Sequence, residues 1–99
     1  MEIGYVIVFR NEGLNLKGVV EDLKELGCTI TGISEDYCTI GGEPCTSVFL
    51  MSDIGVFIKV KLEYNLLEDK EHKYHYWPME FSAEIDEIFT DKYRKKIFG

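Results

Sequence analysis

Leu16, Val19, Val20, Leu23 and Leu26 recur at the spacing of one helix face, and Gly27 closes the run. No other stretch restricts the fold of this chain as much. Lys17, Glu21, Asp22, Lys24 and Glu25 fill the opposite side, so the segment must lay one stripe on a core and keep the other in water. Gly27 supplies the stop, because glycine takes the left-handed position after a helix without a Cβ clash. Asn11 or Asn15 can cap the start through its side-chain oxygen. Gly18, inside the helix, costs about 1 kcal/mol against alanine.

Tyr5-Val6-Ile7-Val8-Phe9 precedes this helix as a short apolar, β-branched run, the pattern of a buried strand, and Arg10-Asn11-Glu12-Gly13 breaks it. Cys28 to Ile33 is strand-like and ends at an acidic break, Glu35-Asp36. Tyr37 to Ile40 and Glu43 to Thr46 flank Gly41-Gly42, a two-residue hairpin signal. With those glycines as the loop, Ile40 faces Glu43, Thr39 faces Pro44 and Cys38 faces Cys45. Pro44 then occupies a non-hydrogen-bonded position and loses no ladder bond.

Ser47 to Met51 predicts a further strand, turned by Ser52-Asp53-Ile54-Gly55. Val56, Ile58, Val60, Leu62 and Tyr64 alternate with Phe57, Lys59, Lys61 and Glu63, which predicts a long half-exposed strand. Leu67 to Glu71 reads as a polar turn, and His72 to Trp77 as a returning strand ended by Pro78. A second helix begins between Pro78 and Ser82. Its acids lie early and its bases late, in accord with the helix dipole. The expected fold is an α+β two-layer sandwich in one domain, residues 1–99, with the order β-α-β-β-β-β-α and room for one more strand. Its sheet is mainly antiparallel and twisted, and both helices pack on one face.

That terminal helix carries the leading functional expectation. Glu80, Glu84, Glu87 and Asp91 recur at spacings of four, three and four, while Ile85, Ile88, Phe89 and Tyr93 form the core-facing side. If the helix starts at Ser82, Glu80 drops out of the stripe. Carboxylates four residues apart rise about 6 Å along a helix, close to the step between phosphates on one nucleic-acid strand. An ordinary solvated face shows the same pattern. The chain has 18 Asp plus Glu against 11 Lys plus Arg, a formal charge of −7, which disfavours direct nucleic-acid or anionic-membrane binding and favours a basic protein partner. The reading is a small non-enzymatic inhibitor that occludes a nuclease, toxin or nucleic-acid-binding effector, in the manner of a bacterial immunity protein or a phage-encoded anti-defence nucleic-acid mimic. Tyr74, Tyr76 and Trp77 would serve as aromatic anchors, on a segment read as an edge strand. An acidic accessory subunit, with charge serving only solubility, is an alternative.

Other chemistry finds little support. Cys28, Cys38 and Cys45 lack a paired CxxC spacing, and His72 and His75 point to opposite faces of a strand, so no metal and no cofactor is expected. No phosphate loop, GxSxG turn or HExxH helix is present, and the chain is expected not to be an enzyme. Absence of a basic leader or a long apolar run predicts a cytoplasmic location, with the thiols reduced. The state is expected to be monomer or homodimer.

From Val6 to Ile33, a strand ends in Arg10-Asn11-Glu12-Gly13-Leu14, an amphipathic helix ends in Leu26-Gly27, and a strand follows. This opening resembles that of an ACT-type ligand-binding domain. The resemblance implies small-molecule binding by the turn at Asn11, Glu12 and Gly13, in a regulatory domain that dimerises through sheet edges. It also implies a continuation ββαβ, whereas the meander strands read above run directly into a terminal helix.

Overall fold

The computed structural model describes residues 1–40, 42–64, 66–69 and 74–76, with backbone alone for 36–40, 43, 67–69 and 74–76. The fold is α+β, in the order β1 (Glu2–Arg10), α1 (Leu16–Leu26), β2 (Thr29–Ile40), β3 (Glu43–Asp53), α2 (Ile54–Glu63), β4 (Leu67–Asp69) and β5 (Tyr74–Tyr76). Three long antiparallel strands form its centre. β3 pairs with β1 from Glu2↔Asp53 to Arg10↔Cys45 and, on its other side, with β2. The short β5 lies parallel to β1 at Ile7↔His75 and Val8↔Tyr76, with β4 outside it, giving the order β2-β3-β1-β5-β4.

The first helix forms as its sequence requires. Asn15 is the N-cap, its Oδ1 accepting the Gly18 N–H at 3.2 Å. At the other end Gly27 takes φ 110, and two backbone bonds close the terminus, Gly27 N–H to Lys24 C=O and Cys28 N–H to Leu23 C=O. Val19 and Leu23 are fully buried beneath the helix.

Several expectations after this helix require correction. Residues 54–63 form α2, not a strand. Alternating apolar residues also satisfy a spacing of four twice over. Val56, Val60 and Tyr64 make the inward stripe, with Val60 and Tyr64 fully buried, while Ile54, Ile58 and Leu62 make an exposed one. Asp53 decides between the two periods by capping the helix, its Oδ1 accepting the Val56 N–H at 2.8 Å. The expected break at Glu35-Asp36 is a register shift inside one continuous β2, and β3 likewise joins two expected strands. The hairpin pairs Thr39↔Pro44 and Ile40↔Glu43 are present; Cys38 and Cys45 then fall within the irregularity before Glu35↔Thr46. Leu67–Asp69 is strand β4 rather than turn. The helix expected after Pro78 lies outside the described residues. Through β4 the chain therefore runs β-α-β-β-α-β, which includes the continuation that the ACT-type resemblance implies.

Both helices pack on one face of the sheet. Ile7, Phe9, Val48 and Leu50 from the strands meet Val19, Leu23, Val60 and Tyr64 from the helices in one buried cluster. The opposite face is also buried at its centre, where Val6, Val8 and Cys45 cluster with Phe49 beside them. Four successive residues of β1, Val6 to Phe9, are thus inaccessible, which explains a run that is apolar rather than alternating.

Candidate functional site

At the C-terminal end of β1 the chain must leave the sheet, cross its upper edge and enter α1. Gly13, at φ 72, supplies the left-handed residue of a turn closed by the Leu14 N–H on the Asn11 C=O at 3.1 Å. The Asn11 N–H donates to the Pro44 carbonyl at 3.2 Å, which fastens this turn to the start of β3. The Thr46 hydroxyl donates to Asn11 Oδ1. Thr46 is 3 % exposed and pairs with Phe9 on one side and Glu35 on the other, so β3 carries the turn and β2 to the same place.

Asn11, Leu14, Leu16, Glu35 and Thr46 surround an open cleft of about 250 Å³. Its floor is the nearly buried threonine, and two leucines give it an apolar wall. Asn11 spends its amide oxygen on Thr46, so its NH2 group is what it offers to a ligand. The Glu35 carboxylate is exposed and supplies negative charge, and Leu16 is the first residue of α1, whose positive end opens beside the cleft. The combination suits a small molecule bearing both a cationic and an anionic group.

Of the turn residues proposed from sequence, Asn11 lies in the cleft, whereas Glu12 and Gly13 are exposed beside it and not among its lining. Glu35 and Thr46 were not foreseen. Glu80, Glu84, Glu87, Asp91 and Trp77 lie outside the described residues. Tyr74 and Tyr76 belong to β5, which sits between β1 and β4, so the segment expected to form a sheet edge is an interior strand.

A second polar group lies within the core. The Tyr64 hydroxyl donates to Asp22 Oδ2, linking the end of α2 to α1. Tyr5 Oη lies 2.8 Å from Ser52 Oγ and 3.5 Å from Cys28 Sγ. Burial pushes the Tyr5 and Tyr64 hydroxyls and the Cys28 thiol above their ordinary values. Such a thiol is protonated at neutral pH and a poor nucleophile. These groups hold elements together.

Among the described residues no cluster of His, Cys, Asp or Glu has the arrangement to hold a metal ion, and no helix is long and apolar enough to cross a membrane. No family model matches the chain, and neither a curated protein nor a solved structure does.

Proposed function

We propose that the chain is a non-enzymatic binding domain that takes up a small polar metabolite of amino-acid size in the cleft between the β1–α1 turn and the end of β2. One observation carries this reading: Asn11, the first residue of the turn after β1, is held by Thr46 in a recess that Glu35, Leu14 and Leu16 also line. The order β-α-β-β-α-β supports it as well, since that order accompanies the ACT-type resemblance of residues 6–33. A ligand ammonium would meet Glu35, a ligand carboxylate the first turn of α1 and the Asn11 amide. Screening amino acids and nucleotides by thermal shift tests the proposal, because a ligand that binds only the folded chain raises its melting temperature. At least one amino acid is expected to stabilise the protein, and Glu35→Gln and Asn11→Ala are expected to abolish that shift. A screen with no stabilising compound, or a shift that both variants retain, refutes it.

The charge of −7 favours a second reading, an acidic protein that blocks a basic partner surface such as that of a nuclease or toxin. Electrostatic steering by Glu84, Glu87 and Asp91 would set its association rate. Association with a basic partner should then slow as salt rises, and slow further when the three acids become Gln or Asn. Rates indifferent to both changes remove these residues from the mechanism.

A further inference from the structure

Of the five large apolar side chains exposed among the described residues, three stand on one helix: Ile54, Ile58 and Leu62 of α2, at 57, 52 and 68 %. Their spacing of four sets them in a single ridge, about 12 Å from first to last. The ridge points away from the core, because Val56, Val60 and Tyr64 on the other side of α2 fill or border the buried cluster. Three neighbouring aliphatic side chains left in water are unfavourable, and on a folded surface such a patch marks a contact with another molecule.

The charges beside the ridge say what fits it. At about 100° per residue, Lys59 falls about 100° to one side of Ile58 and Lys61 about 60° to the other. Glu63, the one carboxylate within α2, lies about 140° round from Ile58, farther toward the sheet than Lys59. Asp53, before the first turn, is directed to the Val56 N–H as the cap. In a chain of charge −7 this ridge is therefore bordered by positive charge on both flanks. A second copy packed ridge to ridge about a two-fold axis would bring lysine beside lysine, whether the helices ran parallel or antiparallel. An anionic lipid surface is opposed by the charge of the whole chain. We propose that the ridge docks an amphipathic helix of another protein, one whose aliphatic stripe carries carboxylates along both edges. Stripes with a spacing of four on both helices interdigitate at about −50°, and the partner's carboxylates then reach Lys59 and Lys61. The Lys61 ammonium already lies over the Phe57 ring, 5.5 Å from its centre, which holds it beside the ridge. The aliphatic contact supplies affinity, and the exposed lysines supply the choice between partners. This inference shares no residue with the cleft and does not rest on ligand binding there.

Fluorescence anisotropy with two synthetic peptides tests it on the full chain. Each peptide is roughly 18 residues, long enough to hold helix in water, with leucines along one side; glutamates flank that side in one, lysines in the other. The glutamate peptide is expected to bind saturably, about tenfold or more tighter than the lysine peptide, with the gap narrowing as salt rises. Combining Ile58→Gln with Leu62→Gln should weaken the glutamate peptide by about tenfold or more. Lys59→Glu should shrink the preference between peptides without removing the aliphatic contact. All three side chains are exposed, and melting curves check that each variant is folded. No saturable binding, equal binding of both peptides, or binding that the Ile58 and Leu62 changes leave intact overturns the proposal. Sedimentation velocity and flotation with phosphatidylglycerol vesicles examine the other occupants: self-association or vesicle binding that the same double variant abolishes would assign the ridge to a second copy or to a membrane, and overturn it too.

Discussion

Gly18 shows how one residue can carry two opposed effects. Judged by propensity, alanine there should stabilise α1 by about 1 kcal/mol. In the folded chain a Cβ at Gly18 runs into the side-chain amide of Asn15, which is the cap of the same helix. Disturbing a cap costs about 1 kcal/mol, so the two effects nearly cancel. Gly18→Ala is therefore expected to change stability by less than about 0.5 kcal/mol in the native chain and to stabilise by about 1 kcal/mol when Asn15 is already Ala. A denaturation double-mutant cycle measures the difference, and equal gains in both backgrounds would show that Asn15 does not shape the site. The glycine admits the cap that starts the helix around it.

At the scale of elements, α1 was legible and α2 was not, for the same physical reason. Residues 16–26 fit the helical period and no other, with a cap before and Gly27 after. Residues 54–63 fit both periods, and what selects the helix is Asp53 together with the buried seats that Val60 and Tyr64 find against Phe9 and α1. Phe57 adds a contact of the same kind, its ring centre 4.6 Å from that of Tyr5, with Lys61 Nζ over the Phe57 ring at 5.5 Å from its centre. Those seats depend on strand order, which local spacing does not encode. The cleft divides likewise: Asn11 could be read from its turn, whereas Glu35 and Thr46 reach it only because β3 lies between β1 and β2. Substitutions distinguish the two periods directly. In a strand Val60 and Leu62 would share a face and matter alike; in α2 one is buried and the other 68 % exposed. Val60→Ala is expected to cost on the order of 2 kcal/mol and Leu62→Gln less than about 0.5 kcal/mol, by denaturant unfolding.

For the whole molecule, the buried hydroxyls and thiol set the alkaline limit of stability. Unfolded, Cys28 ionises near its ordinary value of 9.0 and Tyr5 and Tyr64 near 10.0; folded, all three are held protonated to higher pH, chiefly by burial. The unfolded chain then binds fewer protons than the native one, so stability is fully present below these values and falls as pH rises through about 9 and past 10. Denaturant midpoints measured from neutral pH to about pH 10.5 should decline in that window, and Tyr64→Phe should flatten the decline. A flat profile would mean that these groups titrate alike in both states. The position of β5 bears on a different stage of the protein's life. β1 receives one of its two neighbours from Tyr74–Tyr76, more than sixty residues downstream. While the chain emerges from a ribosome, everything through Glu63 can zip together on one flank of β1 as its other flank waits bare. Clumping of newborn chains, and any need for a chaperone, should concentrate in the interval before that late strand arrives.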